Sequence, residues 1–178
     1  MAYDATRATR DLDAVFVPID VVRQAARAVA EHRGLAEDWL NDAVKGFLPG
    51  PDPDAQRFYS SDSLIVDVAS PRYLLAMKLF AARAEIDADD IILLYHQLGF
   101  TTVDEGLDLV EQAYPGGPIP AKVKFLLTEI VNTMQHLSPH HEQGAAGLMC
   151  VTTTLYAGIT INADKMTSGR SSSRNRAY

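Results

Sequence analysis

A short apolar run near the beginning of the chain, Leu12 to Val17, ends at Pro18, which cannot donate a hydrogen bond to a β-ladder. In a β-strand the side chains alternate between two faces, so Asp11 and Asp13 project on the side opposite to the apolar residues. Two neighbouring carboxylates repel unless a cation lies between them, and Mg²⁺, which prefers oxygen ligands, is the usual cation. The alternative is that both acids are solvated residues at the end of a strand.

The composition is that of a globular protein. The chain has 178 residues, of which 47% are hydrophobic and 22% charged, as expected for one domain with an appended segment. No apolar run approaches the roughly 20 residues of a membrane helix, and no secretory signal is visible. The single cysteine, Cys150, fits a reducing compartment. We therefore expect a cytoplasmic protein without a membrane partner, and the net charge of −7 argues against nonspecific nucleic-acid binding.

The first part of the chain predicts strands that alternate with helices. Ile19 to Arg33 has apolar residues at helical spacing and is followed by Gly34, a typical C-terminal helix residue. Ala36 to Leu48 predicts a second helix for the same reason, and three prolines between Pro49 and Asp54 predict a loop. Two strands are predicted after the loop: an edge strand from Arg57 to Ser60 and a β-branched strand from Ser63 to Val68.

The middle of the chain predicts helices, the first of which contains a lysine among apolar residues. Ser70 and Pro71 are suited to the N-cap and first position of a helix that extends to about Ile86. Lys78 lies in its apolar centre. Because a buried ammonium is costly unless it is paired, its side chain either extends to water or meets carboxylates or ligand phosphates. Further helices are predicted from Asp87 to Leu98, from Asp104 to Tyr114 and from Ala121 to about His136.

Asp87 and Asp90 have a purely structural interpretation, as the N-cap and third residue of the helix that ends before Gly99. Beyond residue 137 the composition changes. His136 and the turn from Ser138 to Glu142 suggest a weak metal-ligand cluster, for which a solvated loop is the alternative.

The last part of the chain predicts less regular structure. Leu148 to Ile161 is rich in β-branched residues and could form a strand or hairpin, whereas Thr167 to Tyr178 has a disordered composition. We therefore predict one domain over residues 1–136 and an atypical, partly disordered C-terminal segment over residues 137–178 that adds little to the core.

Three segments together resemble one protein family. They extend from Arg7 to Phe16, from Asp38 to Pro49 and from Leu74 to Ile91. In residue types, order and spacing they resemble bacterial nucleotidyltransferase-like proteins of the DUF6036 group, which are related to the AbiEii-type toxins of toxin–antitoxin and abortive-infection systems. The resemblance covers roughly residues 6–130, and it is the combination of motifs that makes it fairly specific.

The resemblance implies a minimal nucleotidyltransferase fold, an α/β (α+β) domain in which a small mixed sheet is flanked by helices and followed by a helical C-terminal half. It also implies that Asp11 and Asp13 hold Mg²⁺, that Lys78 contacts a nucleoside triphosphate, and that Asp87 or Asp90 completes the site. Arg7 is a further candidate for nucleotide binding. The implied activity is Mg²⁺-dependent transfer of a nucleotide to an RNA acceptor of the tRNA type, or to a protein, by a toxin that an antitoxin binds.

The sequence departs from the family pattern in one respect. The family has a Gly-Ser or Gly-Gly motif before the Asp-x-Asp strand, where backbone N–H groups receive phosphate, but only residues 1–5 precede Thr6 and they contain no such motif. We therefore expect an N-terminally truncated chain, and the alternative function is that of a catalytically degenerate member that only binds a partner such as an antitoxin. Asp67 is the strand candidate for a third carboxylate, unless alternation directs it to the outer face.

Overall fold

The structure, a computed structural model, describes residues 12–137 and 159–162. Within these residues it has five strands, five α-helices and one 3-10 helix. The elements, in chain order, are β1 (Leu12–Val17), α1 (Ile19–Arg33), β2 (Leu40–Asn41), the 3-10 helix (Ala43–Phe47), β3 (Gln56–Ser60), β4 (Ile65–Val68), α2 (Pro71–Ala81), α3 (Ala84–Leu98), α4 (Val103–Ala113), α5 (Ala121–Leu137) and β5 (Ile159–Asn162).

The five strands form one mixed sheet in the order β2-β1-β5-β4-β3. β1 is parallel to both of its neighbours, β2 and β5, whereas β4 is antiparallel to β5 and to β3. Helices α2 to α5 follow the sheet-forming part of the chain. The predicted fold class, α+β with a small mixed sheet and a helical C-terminal half, is therefore confirmed.

The centre of the sheet is occupied by β5, which comes from the C-terminal segment. Ala14 of β1 and Val68 of β4 are both in register with Ile159. The expectation that residues 138–178 add little to the domain is therefore wrong for Ile159–Asn162, which join the two halves of the sheet. The rest of the predicted strand or hairpin, the histidine-containing turn and the predicted disordered tail lie outside the described residues.

One face of β1 is covered by α1. Ala14 and Phe16 on this face are fully buried, and Asp13 and Val15 alternate to the opposite face, as the apolar pattern predicts. α1 has the predicted boundaries and ends at Gly34, whose φ of 66° is easily adopted by a residue without a side chain. The residues that complete this cluster are Val22, Ala26 and Leu40.

The predicted helix from Ala36 to Leu48 is wrong, because this segment forms β2 and the 3-10 helix. The Trp39 carbonyl accepts a hydrogen bond of 2.6 Å from the backbone of β1, and the Trp39 indole donates to the Ala26 carbonyl at 3.0 Å. The Asn41 side chain accepts from the Ala43 amide at 3.0 Å, a local bond that competes with a helix. Pairing with the sheet thus outweighs the helical spacing of the apolar residues.

Helices α2 to α5 share one hydrophobic core, which contains the fully buried Leu79, Ile91 and Tyr95. The predicted start of α2 is confirmed, since the Ser70 hydroxyl accepts from the Tyr73 amide at 3.2 Å. α4 and α5 lie within one residue of their predicted boundaries. Among the described helices, none is both long and apolar enough to cross a membrane.

The boundary between α2 and α3 differs from the prediction. α2 ends at Ala81 and not near Ile86, because Ala82 adopts a left-handed conformation with φ 46°. α3 begins at Ala84, so Asp87 and Asp90 lie inside the helix and the predicted N-cap role of Asp87 is wrong. This sharp turn directs the start of α3 back towards the end of α2.

Candidate functional site

A cleft between β1 and α2 brings together charged residues that are far apart in the sequence. Asp13 of β1, Lys78 of α2 and Arg83, which precedes α3, all line it. The cavity of the cleft measures about 100 Å³ and opens to solvent. Its charged lining therefore combines one carboxylate with two cations. The other lining residues are apolar and comprise Ala43, Val44, Phe47, Leu74, Met77 and Ala81.

Asp13 is partly buried and belongs to the sheet face that lies towards α2. Asp11 and Arg7 lie outside the described residues, so the predicted pair of Asp11 and Asp13 and its Mg²⁺ remain predictions. Within residues 12–137 and 159–162 no group of three or more His, Cys, Asp or Glu residues could hold a metal ion. His136 is exposed on α5, and the other members of its predicted cluster are not among these residues.

Lys78 is buried and paired with protein carboxylates. Its side chain is 7% exposed, and Nζ donates to Oδ1 of Asp87 at 2.8 Å and to Oδ2 of Asp90 at 2.7 Å. Of the two alternatives derived from the sequence, extension of the side chain to water is therefore wrong. The ion pair compensates for the cost of removing the ammonium from water, provided that its geometry is good.

The two aspartates complete a buried charge cluster together with Lys78 and Arg83. Asp87 is fully buried and Asp90 nearly so. Arg83 Nε donates to the second oxygen of Asp87 at 3.0 Å, from a position four residues earlier in the chain. Two carboxylates thus face two cations, and the formal charges of the four groups balance. We call these four residues the charge cluster.

The turn between α2 and α3 creates the charge cluster. Ala82 reverses the chain direction, and its amide donates to the Lys78 carbonyl at 2.9 Å. The Ala81 carbonyl, which has no partner within α2 at this end, accepts a hydrogen bond from Lys122 Nζ at 2.9 Å. The end of α2 is therefore held by α5, and Lys78 is directed towards α3.

The 3-10 helix forms the apolar wall of the cleft. Val44 is buried, whereas Phe47 is 41% exposed. The hydroxyl of Tyr114, at the end of α4, donates to the Phe47 carbonyl and fixes this wall against the helical half. The wall thus presents an aromatic surface that is partly accessible to solvent.

The start of the 3-10 helix is held by an ion pair outside the cleft. Asp42 accepts hydrogen bonds from Lys45 and, at 2.9 Å, from Arg23. The hydrogen bond from Lys45 is the main reason why the pKa of the Asp42 carboxyl is lowered, and burial opposes it. Both cations are exposed, so the contribution of these pairs to stability is small.

Asp67 lies on the same sheet face as Asp13 but belongs to a neighbouring cavity. This cavity is lined by Val15, Asp67 and Tyr73 among others and shares Val44 and Met77 with the cleft. β5 separates Asp67 from β1, a spacing of about 10 Å for two strand intervals. Arg57 of the edge strand donates to Asp67. Asp67 is therefore directed to the sheet face that lies towards α2, where Arg57 donates to it.

Sequence reasoning identified Asp13, Lys78, Asp87 and Asp90, and the last three are indeed in contact. It did not identify Arg83 as a residue of the site. The available signal was the spacing of four residues between Arg83 and Asp87, which places an arginine next to an aspartate on a helix. The contribution of the 3-10 helix to the cleft had no such signal, because that segment was predicted to be a regular helix.

Comparisons with protein-family models, with curated proteins and with solved structures find no match to this chain.

Proposed function

We propose that this chain is a nucleotidyltransferase-like protein that binds Mg²⁺ and a nucleoside triphosphate in the cleft between β1 and α2. The nucleotide would be transferred to an RNA acceptor of the tRNA type, or to a protein, by a toxin that is controlled by an antitoxin. One observation carries this proposal. Asp13 and Lys78, which belong to different motifs of the sequence, line the same cleft.

The donor chemistry of the cleft supports the metal. Asp13 offers carboxylate oxygens, the ligands that Mg²⁺ prefers, and with Asp11 it would hold the ion. The ion would neutralise phosphate charge and align the transferred group. Arg83 lines the same cleft, so the carboxylate and a cation are both accessible to one ligand.

The lining of the cleft supports a nucleotide. Ligand sites typically combine an apolar lining with a few polar groups that fix orientation, and the lining of the cleft has this character. A planar base can pack on the apolar wall that contains Phe47, while the phosphates extend towards Asp13 and the charge cluster. The partly exposed Phe47 ring provides a stacking surface.

Lys78 has a less direct role in this proposal than the family resemblance implies. Its ammonium already donates to Asp87 and Asp90, so its charge is largely compensated before a triphosphate arrives. Within the proposed site, Asp87, Asp90 and Lys78 hold the ends of α2 and α3 together. They thereby fix the position of the cleft wall relative to β1.

The same ion pairs favour a second candidate function, that of a catalytically degenerate protein that binds only a partner such as an antitoxin. The charge cluster is balanced within itself, which leaves less positive charge for a triphosphate. A chain that lost catalysis would retain the cluster if it is needed for the fold.

Titration calorimetry of the whole chain with ATP, GTP, CTP and UTP, each with and without Mg²⁺, tests the first proposal. We expect Mg²⁺-dependent binding that stabilises the fold by mass action and that Asp13→Asn abolishes. Asp20→Asn, which removes an exposed acid from α1, is the matched control and should bind as the original chain does. Binding that survives Asp13→Asn, or no binding at millimolar nucleotide, would reject the proposal.

Transfer is tested separately, with radiolabelled nucleotides, Mg²⁺ and total tRNA as the acceptor. Label on the tRNA that disappears with Asp13→Asn would support transfer. Binding of nucleotide without transfer to tRNA or to protein would favour the second candidate.

A further inference from the structure

The outer edge of β3 faces no other strand of the sheet. β3 lies at one end of the strand order, and among the residues that the structure describes it pairs only with β4. The backbone groups of a strand point alternately to its two sides, so part of the N–H and C=O groups of Gln56–Ser60 point away from β4. Such a row of groups is a template for pairing with another strand.

Two adjacent aromatic residues lie on this edge strand. Phe58 is 68% exposed and Tyr59 is 49% exposed, and the other three residues of β3 are exposed as well. Single apolar residues on a surface are ordinary, whereas contiguous apolar surface marks sites of interaction. Aromatic residues are also enriched where proteins contact one another. β3 therefore combines backbone hydrogen-bonding capacity with apolar surface.

The charges of β3 do not oppose its pairing with an identical strand. Arg57 is the one charged residue of β3, and its guanidinium donates to both carboxylate oxygens of Asp67 on β4. Like charges directly opposite each other destabilise a strand pair, but this cation is neutralised within its own chain. The repulsion between two chains of net charge −7 acts over longer distances, where salt screens it.

We propose that the outer edge of β3 pairs with β3 of a second copy of this chain, so that the two sheets become one. An occupant of this edge must be extended, must offer free N–H and C=O groups and must bury aromatic surface, and β3 itself meets all three requirements. In an antiparallel pair a two-fold axis relates the copies, and each contact is made twice. Phe58, the central residue of β3, then lies close to the axis. This inference does not depend on the proposed function.

The alternative is that β3 is a protected edge and the chain is monomeric. The register of β3 against β4 shifts between Arg57 and Tyr59, and a bulge is one of the devices that discourage pairing with another chain. A bulge does not cover apolar surface, however, so it leaves the exposure of Phe58 and Tyr59 unexplained. The oligomeric state decides between the two interpretations.

Sedimentation velocity of the whole chain over a series of concentrations tests the inference. We expect a reversible dimer. Phe58→Lys places a charge next to the two-fold axis and should raise the dissociation constant by about tenfold or more. Phe125→Lys is the matched control, because Phe125 is 76% exposed on α5, and it should leave the dissociation constant unchanged. Both positions are exposed, so both variants should fold, which circular dichroism checks.

Oxidative cross-linking of Phe58→Cys, in a chain that also carries Cys150→Ser, locates the contact. Two thiols near a two-fold axis approach each other, so we expect a disulfide-linked dimer on a non-reducing gel. Phe125→Cys in the same background is the control and should stay monomeric on that gel. A chain that is monomeric at every concentration overturns the inference. A dimer that tolerates Phe58→Lys, or that cross-links through Phe125→Cys and not through Phe58→Cys, overturns it as well.

Discussion

The Lys78 ammonium donates to the Asp90 carboxylate at 2.7 Å, across the turn that joins α2 to α3. Together with the bond to Asp87, this contact places three buried charged groups beside the apolar core of the helical half. A buried ion pair of this kind adds little net stability compared with apolar residues of the same shape, but removal of one partner is costly. Lys78 should therefore be essential to the fold even if it contacts no ligand.

Lys78→Met should lower the free energy of unfolding by about 3–5 kcal/mol, because it removes the buried ammonium to which Asp87 and Asp90 both bond. Chemical denaturation measures the change. Lys122→Met is the control, since Lys122 is exposed and bonds only a carbonyl, and it should cost about 1 kcal/mol or less. Equal stabilities for Lys78→Met and the original chain would contradict the importance of this ion pair.

Gly106→Ala should destabilise the helical half. A Cβ atom at Gly106 would lie 2.0 Å from the Tyr95 hydroxyl oxygen and 2.9 Å from the nearest Leu127 methyl, and both side chains are fully buried. Overpacking of this kind typically costs about 1–3 kcal/mol, measurable by thermal unfolding. Gly46→Ala, at a position with no atom within 4 Å of the added Cβ, is the control. If Gly106→Ala and Gly46→Ala have the same melting temperature, α3, α4 and α5 do not approach one another as closely as described.

Glu105 should make part of the stability dependent on pH. Its carboxylate accepts hydrogen bonds of 2.8 Å from the amides of Thr101 and Thr102 at the start of α4. These bonds, chiefly the one from Thr101, lower the pKa of Glu105. The stabilisation that the Glu105 carboxylate gives to the folded state is therefore complete above the ordinary glutamate pKa. It is lost as the pH falls through the lowered pKa of the folded state.

Unfolding curves at a series of acid pH values check this prediction. Glu105→Gln should be less stable than the original chain near neutral pH, and the difference should shrink below the ordinary glutamate pKa. Glu111→Gln is the control for loss of one negative charge from α4. A Glu105→Gln difference that stays constant across the acid range would show that the capping bonds do not depend on the charge.

Deletion of residues 138–178 should destabilise the sheet strongly. β1 and β4 each lose the partner strand that lies between them, and their ladder groups then require water or another chain. We expect aggregation or loss of a cooperative unfolding transition, measured by size-exclusion chromatography and circular dichroism. A deletion confined to residues 167–178 leaves β5 intact and is the control. A soluble, cooperatively folded truncated chain would contradict the central position of β5.

Sequence reasoning succeeded where structure is determined locally. The alternation of Leu12–Val17, the spacing of Ile19–Arg33 and the left-handed Gly34 are short-range signals, and each element formed as expected. The helix prediction failed for Ala36–Leu48. Trp39 accepts from a backbone amide of β1 and donates to a backbone carbonyl of α1, and the spacing of apolar residues gives no sign of these distant bonds. The predicted strand or hairpin from Leu148 to Ile161 overlaps β5, but the position of β5 between β1 and β4 was not predicted, because pairing with distant strands leaves no local signal in the sequence.

In the candidate site, too, the locally determined features were predictable and the features that depend on distant contacts were not. Lys78 was recognisable as an anomaly, since a lysine in an apolar helix requires an explanation. Its partners were not identifiable, because the left-handed turn at Ala82 decides which residues of α3 it meets. Arg83 was missed for the same reason: its access to the cleft depends on where α2 ends.

The central position of β5 also determines the order in which the protein can assemble during synthesis. Ala14 pairs with Ile159, a residue almost the full length of the described chain away, whereas the contacts among α2, α3, α4 and α5 are closer in sequence. Local contacts form faster than distant ones, so we expect the helical half to fold while the ribosome is still translating the segment that contains β5. Until residue 162 emerges, β1 and β4 each have an edge whose backbone hydrogen-bonding groups lack the partner strand β5. A newly made chain should therefore depend on chaperones most during that interval.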